Sequence, residues 1–210
     1  MILLLLHGFN QSAASFQTAF NTHFDSSRLV PQISIDAPWQ NTTNPGGMAH
    51  SWFDYDTNDQ ATKWSAGRKR VQATFALTKR LDPDIVLVGF SQGASMAIEA
   101  AFSARQQVQC VLAIQGYPLP ETLHKTNNNR HTVIWAVLCA EDGIVEADTA
   151  LFHFRMLRKF HSNLHIHIFM HRQCRHGDFA TIDRDLTTNF LASCKAADRQ
   201  NSTLNVHDSD

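Results

Sequence analysis

The chain has 210 residues, of which 43% are hydrophobic and 18% charged, a composition typical of one globular domain with a sizeable core. Its formal net charge of −1 gives no basis for a nucleic-acid or anionic-membrane partner. The apolar start, residues 1–6, is too short to cross a bilayer and lacks a basic segment and a cleavage site. It therefore predicts a buried first strand and neither a transmembrane segment nor a signal peptide.

Strand-like apolar runs alternate with amphipathic helical stretches along the chain. Strands are predicted at 2–6, 29–35, 86–90, 108–114, 131–139 and 164–170, and helices at 12–24, 62–81, 92–105, 146–160 and 178–191. This alternation is typical of α/β proteins with a mostly parallel, doubly wound sheet and helices on both faces. We expect a single domain over residues 1–194, with no insertion long enough for a cap domain, and a polar, disordered tail over 195–210.

The sequence Gly89-Phe90-Ser91-Gln92-Gly93 lies between an apolar, β-branched run and a stretch rich in Ala and Met. A G-x-S-x-G pattern between a strand and a helix is typical of a nucleophile elbow. The glycines permit the tight turn, and the serine hydroxyl stands at its apex near the positive end of the following helix. A chance match is the alternative interpretation, but the chain has only nine glycines and both flanks are correct, so Ser91 is predicted to be a catalytic nucleophile.

A serine nucleophile needs a base, a group that orients the base, and donors for the oxyanion. In hydrolases whose serine stands on a nucleophile elbow, the acid and the base follow the serine in the chain, first Asp and then His. Asp142 follows the strand that ends at Cys139 and is the predicted acid, with Glu141 as the alternative. His176 lies in the loop before the last helix and is the predicted base, with His171 as the alternative.

The turn His7-Gly8-Phe9 after the first strand is the expected site of the second oxyanion donor. The backbone N–H groups of Phe9 and Gln92 would form the oxyanion hole. We expect His7 itself to hold the loop and not to act as the base, because the base should follow the serine.

Asp36-Ala37-Pro38-Trp39 breaks the second strand, and a long irregular stretch over residues 40–54 follows it. This region carries four large apolar side chains, Trp39, Met48, Trp52 and Phe53. Loops of this length are uncommon unless they line a site. One interpretation is that these residues form a wall of a substrate-binding acyl pocket. The other is that they only pin the loop to the domain, and the sequence leaves both open.

The four cysteines, at 110, 139, 174 and 194, show no C-x-x-C motif and no spacing typical of a metal site. Cys110 and Cys139 lie within apolar runs, so we expect free buried thiols, a reducing compartment and a cytoplasmic protein. A disulfide between Cys174 and Cys194 is the less favoured alternative.

Several of these motifs together resemble the phospholipase/carboxylesterase family, which includes the acyl-protein thioesterases. They are Gly89-Phe90-Ser91-Gln92-Gly93-Ala94, His7-Gly8, the stretch from Ala37-Pro38 to Ser51-Trp52-Phe53-Asp54, Asp142 and His176. The resemblance runs from about residue 2 to residue 192, and Gly143 stands where the family commonly has proline. It implies an α/β-hydrolase fold and hydrolysis of carboxylic esters or thioesters through an acyl-enzyme, with neither a cofactor nor a metal.

The expected partner is therefore a small-molecule ester or thioester, with acylated proteins as a second substrate class. An acyltransferase that uses the same acyl-enzyme is one alternative function. A non-catalytic binding protein on the same fold is another, although it would have no need of Ser91, Asp142 and His176 together.

Overall fold

The structure is a computed structural model that describes residues 1–24, 30–41, 49–53, 60–78, 84–105, 108–125, 132–183, 185–196 and 204–209. Strands and helices alternate over these ranges. The strands are β1 (Ile2–Leu6), β2 (Gln32–Ile35), β3 (Trp39–Asn41), β4 (Ala49–Ser51), β5 (Ile85–Phe90), β6 (Cys110–Ile114), β7 (Val133–Cys139), β8 (His165–His171) and β9 (Leu204–Ser209). The helices are α1 (Ala13–His23), α2 (Gln60–Thr78), α3 (Gln92–Ser103), α4 (Pro120–Leu123), α5 (Ala147–Phe160) and α6 (Leu186–Ala196).

Seven strands form one parallel sheet in the order β2-β1-β5-β6-β7-β8-β9. The strand order reverses between β1 and β5, since the chain goes from β1 to β2 on one side and later returns to β5 on the other. Open α/β sheets bind their ligands at such a switch point, outside the carboxyl ends of the strands. Ser91 follows β5 at this edge of the sheet.

The two faces of the sheet are covered by separate hydrophobic clusters, because successive strand side chains point to opposite faces. In β1, Leu3 and Leu5 join the cluster that includes α1 and α6. Leu4 and Leu6 join the cluster that includes α2, α3 and α5. Burial on both faces explains why the central strands are continuous apolar runs. The predicted parallel, doubly wound sheet with helices on both faces is confirmed.

The predicted last helix is interrupted in the structure. A single 3₁₀ turn at Phe179–Thr181 is followed by extended backbone at Ile182, and α6 begins only at Leu186. The Asp183 side chain accepts a 2.9 Å hydrogen bond from the backbone N–H of Asp185 just before that start. Such a local side-chain bond favours a turn over a continuous helix.

The C-terminal segment also differs from the predicted disordered tail. Helix α6 continues to Ala196, and β9 pairs with β8 in parallel, with Ile166 opposite Leu204 and His171 opposite Ser209. The backbone of a strand next to a sheet edge gains hydrogen bonds whatever its side chains are, so a polar sequence can supply an edge strand.

The segment predicted to be irregular contains a short antiparallel pair, in which Trp39 of β3 lies opposite Ser51 of β4. Within the described residues no insertion forms a cap over the sheet. Likewise, none of the helices described has the length and apolar character needed to cross a bilayer.

The four cysteines are paired, which corrects the expectation of free thiols. Cys110 is bonded to Cys194 and Cys139 to Cys174, with Cα–Cα separations of 5.7 and 5.0 Å. Cys110 begins β6 and faces α6 across one cluster, whereas Cys139 ends β7 beside the loop that follows β8. These pairs join segments far apart in the chain, and they remove the basis of the argument for a reducing compartment.

Candidate active site

Ser91 stands at a sharp turn between β5 and α3, where its φ is 53°. A positive φ is costly for a residue other than glycine and persists only where the surroundings enforce it. The backbone N–H of Ser91 donates a 2.8 Å hydrogen bond to the carbonyl of Ile114. A Cβ on Gly89 would overlap the carbonyl of Gly93, and one on Gly93 would overlap that of Leu6. Glycine is therefore required on both sides of Ser91.

The structure brings Ser91, Asp142 and His176 into one hydrogen-bonded chain. Nε2 of His176 lies 2.9 Å from Oγ of Ser91, although the two residues are 85 positions apart. Nδ1 of His176 lies 2.7 Å from Oδ2 of Asp142. An ionised carboxylate only accepts hydrogen bonds, so Nδ1 carries the proton and Nε2 is left to accept the proton of the serine hydroxyl.

The carboxylate of Asp142 is held on both of its oxygens. Oδ1 accepts hydrogen bonds of 2.9 and 2.8 Å from the backbone N–H groups of Ile144 and Val145, which leaves Oδ2 for His176. The alternative acid, Glu141, is 56% exposed and lies 3.9 Å from Arg175 on the surface. The alternative base, His171, stays at the end of β8, where burial lowers the pKa of its imidazole.

The loop that carries His176 is held from beneath by Gln115. Oε1 of Gln115 accepts a 2.6 Å hydrogen bond from the N–H of Gly177, and its Nε2 donates at 3.1 Å to the carbonyl of Arg175. The imidazole also packs against Phe90, with 5.1 Å between ring centroids. His176 is thus constrained through its ring and through the backbone on both of its sides.

The turn after β1 is organised by His7, which confirms the structural role expected for this residue. Nδ1 of His7 donates to the carbonyl of Gly8 at 2.7 Å, and the N–H of Ala37 donates to Nε2 at 3.0 Å. One ring nitrogen donates and the other accepts, so the imidazole is neutral. Burial lowers the pKa of His7, which favours the same neutral form.

The four aromatic and apolar residues predicted to bind substrate lie in different places. Trp52 is fully buried, and Phe53 is buried and lines the cavity next to Ser91. Trp39 is 51% exposed on the short β3–β4 pair and lies outside that cavity, as does Trp52. Met48 lies outside the described residues. Among the described residues, the lining of this cavity includes Phe53 and neither Trp39 nor Trp52, and the substrate-binding role of the four residues stays a prediction.

Trp52 is enclosed because its polar groups have partners in the interior. Its backbone N–H donates a 2.7 Å hydrogen bond to Oε1 of Gln92, whose Nε2 donates at 2.7 Å to the carbonyl of Phe53. Its indole N–H donates to the carbonyl of His7. These bonds tie Trp52 and the neighbouring Phe53 to the interior, as the loop-pinning interpretation expects, while the acyl-wall interpretation stays a prediction.

A cavity of about 720 Å³ opens beside Ser91 at the carboxyl edge of the sheet. Its lining includes the predicted oxyanion residues Phe9 and Gln92, and no Asp, Glu, Lys or Arg is among the described residues that line it. Across the described parts of the chain, no group of three or more His, Cys, Asp or Glu side chains is arranged to hold a metal ion.

A sequence comparison classifies the chain. Residues 1–182 match the family described as Phospholipase/Carboxylesterase. The chain belongs to this family. The match covers every segment of the site described above and confirms the resemblance noted in the sequence. No curated protein sequence matches the chain significantly.

Solved structures share the fold of this phospholipase/carboxylesterase family member. Arabidopsis thaliana SOBER1 superposes with a TM-score of 0.75 at 16% identity, over 95% of this chain and 99% of the other. A Bacillus cereus carboxylesterase gives 0.70 at 14% identity, over 93% and 88%. Zea mays acyl-protein thioesterase 2 gives 0.64 at 17% identity, over 92% and 93%. The TM-scores establish a common α/β-hydrolase fold, and at identities this low the likeness shows the fold alone.

The sequence analysis did not single out several residues that the structure places at the candidate site. They are Gln115 beneath the His176 loop and, in the cavity lining, Gln11, Ser95, Tyr117, Leu119, Ile144, Val145 and His153. Gln115 had one recognisable signal, since it is a polar residue directly after a buried strand at the functional edge of the sheet. The lining residues come from separate loops and share no local pattern.

Proposed function

We propose that the chain is a serine hydrolase that cleaves carboxylic esters or thioesters through an acyl-enzyme, with Ser91, His176 and Asp142 as its triad. The observation that carries this proposal is the pair of hydrogen bonds at His176, 2.9 Å to Ser91 and 2.7 Å to Asp142. Membership of the phospholipase/carboxylesterase family supports the reaction class. Fold neighbours named as a carboxylesterase and an acyl-protein thioesterase agree with it.

In the proposed cycle His176 Nε2 takes the proton of Ser91 as Oγ attacks the carbonyl carbon of the substrate. The same proton is then delivered to the leaving alkoxide or thiolate, and the acyl group remains on Oγ. Water repeats the sequence and releases the carboxylic acid. Asp142 keeps the imidazole in the required tautomer. It also stabilises the imidazolium that forms during acylation and again during deacylation.

The oxyanion of each tetrahedral intermediate would be held by the backbone N–H groups of Phe9 and Gln92. Both residues line the cavity beside Ser91. Gln92 begins α3, so its N–H lies at the positive end of that helix. The turn before Phe9 is braced by the bonds of His7 and by a 2.9 Å bond from Gly8 N–H to Oε1 of Gln11. This bracing keeps the donors in place before charge develops.

The cavity supports a substrate with an uncharged acyl group. Phe53, Leu119 and Val145 offer apolar surface in it, whereas Ile144 is 74% exposed near its mouth. Each CH₂ that is buried contributes about 0.8 kcal/mol. A small-molecule ester or thioester fits this site, and an acylated protein could present its acyl chain in the same way.

A fluorophosphonate probe tests the proposal, because it phosphonylates only an activated serine. We expect one label per folded chain, located on Ser91 by peptide mass analysis. Ser91→Ala should lose the label and lower kcat on p-nitrophenyl esters by about 10⁴-fold or more. Ser103→Ala is the matched control, because Ser103 ends the helix that follows Ser91 and bonds Glu99 away from the cavity. This variant should keep the fluorophosphonate label and the esterase activity.

Labelling of another residue, or a folded Ser91→Ala variant with most of the activity, would overturn the assignment. Product analysis with a competing alcohol separates hydrolysis from acyl transfer. Carboxylic acid as the main product is expected for a hydrolase.

A further inference from the structure

Gln115 is a polar residue in the interior, with a side chain that is 0% exposed. It follows β6 directly, its φ is 51°, and its backbone N–H donates a 2.7 Å hydrogen bond to the carbonyl of Val137. A buried amide is tolerated only when its donors and acceptor are bonded. The positions of those bonds therefore indicate what the residue does.

The amide of Gln115 is bonded to the backbone on both sides of His176. Its Oε1 accepts from Gly177 N–H at 2.6 Å, and its Nε2 donates to the Arg175 carbonyl at 3.1 Å. The side chain thus holds the peptide groups flanking His176 as a neighbouring strand would. His176 is in a loop after β8 and has no such strand partner at this point.

The same side chain also reaches the segment that carries the acid. Nε2 of Gln115 lies 2.7 Å from Sγ of Cys139, whose carbonyl accepts a 3.2 Å bond from the N–H of Asp142. On the preceding residue, the Ile114 carbonyl accepts the N–H of Ser91. Two consecutive residues at the end of β6 therefore contact the segments of the nucleophile, the base and the acid.

We propose that Gln115 is a positioning residue, which fixes His176 at hydrogen-bond distance from both Ser91 and Asp142. The inference rests on the proposed function of these three residues. It goes beyond that function because Gln115 does not line the described cavity and acts only through His176. The physical reason is that proton transfer depends steeply on geometry, so that a displacement of about 1 Å lowers the rate by roughly 10²-fold.

Replacement of the amide tests the proposal. Gln115→Met keeps the length of the side chain and removes both bonds to the His176 loop. We expect kcat for a p-nitrophenyl ester to fall by about 10²-fold and KM to change by less than about threefold. Fluorophosphonate labelling should slow by a similar factor. Gln115→Glu retains the acceptor for Gly177 N–H and loses the donor to the Arg175 carbonyl. Its kcat should therefore fall by less than that of Gln115→Met.

Thr132→Val is the matched control for the loss of a buried hydrogen bond. Thr132 is 1% exposed and donates a 2.8 Å bond to the Val108 carbonyl before β7, at the opposite edge of the sheet. This variant should lose stability but keep kcat. Should Gln115→Met fail to fold, Gln115→Glu decides the question: a kcat below that of Thr132→Val is expected, and a kcat equal to it overturns the inference.

A double-mutant cycle with His176→Ala separates positioning from general structural support. If Gln115 acts through His176, Gln115→Met should lower activity in the wild-type background and leave the residual activity of His176→Ala unchanged. An equal loss in both backgrounds, or a Gln115→Met kcat equal to that of Thr132→Val, overturns the inference. A His176→Ala variant with full activity would instead overturn the proposed function, so the two failures are distinguishable.

Discussion

The indole N–H of Trp52 donates a 2.8 Å hydrogen bond to the backbone carbonyl of His7, 45 positions earlier in the chain. His7 precedes the turn that contains the proposed oxyanion donor Phe9, and Trp52 precedes Phe53 of the cavity wall. The bond therefore joins two sides of the cavity from behind. Trp52 is not among the described residues that line the cavity, and its hydrogen bonds link the two segments.

The chain-length dependence of ester hydrolysis distinguishes Trp52 from Phe53. If Phe53 contacts the acyl chain, wild-type kcat/KM should rise up to about fourfold per CH₂ over the first few carbons. Phe53→Ala should flatten that rise. Trp52→Phe should give a profile parallel to wild type, lower at every length, and a free energy of unfolding smaller by about 1–3 kcal/mol because a buried bond is lost.

The measurement is a p-nitrophenyl ester series on the three proteins, together with urea unfolding. A flattened profile for Trp52→Phe and a parallel one for Phe53→Ala would reverse the two roles. Circular dichroism of each variant controls for folding.

Asp142→Asn should lower kcat by about 10⁴-fold with little change in fold. The amide oxygen of asparagine can still accept the N–H groups of Ile144 and Val145, so the loop keeps its bonds. The amide NH₂ would then face Nδ1 of His176 and favour the wrong tautomer. Glu141→Gln is the matched control, and steady-state kinetics should show a kcat within twofold of wild type, because Glu141 lies on the surface. Equal losses in the two variants would contradict the assignment of the acid.

The free energy of unfolding should decrease as the pH falls below about 6.5. Burial lowers the pKa values of His7, His161 and His171 below the ordinary value of 6.5, so in this range the unfolded chain binds more protons than the folded one. The contribution of these histidines to stability is fully present above their unfolded-state pKa. It is lost as the pH falls toward their lowered folded-state pKa values. Urea unfolding between pH 5.5 and 7.5 measures the slope.

His161→Gln is the variant for this experiment, because His161 lies away from the cavity lining and bonds the Leu123 carbonyl through Nε2. Gln can donate the same bond without taking up a proton. In His161→Gln the free energy of unfolding should change less steeply with pH than in the wild type. An unchanged slope would mean that His161 does not contribute.

Thiol titration under denaturing conditions should find no free thiol before reduction and four after it, since the structure pairs Cys110 with Cys194 and Cys139 with Cys174. Reduction should also lower stability. A cross-link between residues 84 positions apart contributes about 4–5 kcal/mol in the chain-entropy description. Four reactive thiols in the unreduced chain would restore the expectation of free cysteines.

The sequence alone determined the alternation of strands and helices, the elbow at Ser91 and the order in which Asp142 and His176 follow it. These features depend on local patterns. Apolar runs predict buried strands, and glycines flanking a serine between a strand and a helix predict a turn that any side chain would obstruct. The capping of α1 by Ser12 is local for the same reason, with reciprocal bonds between Ser12 and Ser15.

Tertiary structure decided the cysteine pairs, the burial of Trp52 and the contacts of Gln115. Each depends on which segments become neighbours, and that follows from the strand order and not from any local pattern. Cys139 and Cys174 meet because β7 and β8 are adjacent, and Gln115 reaches the His176 loop because β6 ends beneath it. Buried polar groups must find partners wherever the fold places them, and the Gly177 partner of Gln115 lies 62 positions away in the chain.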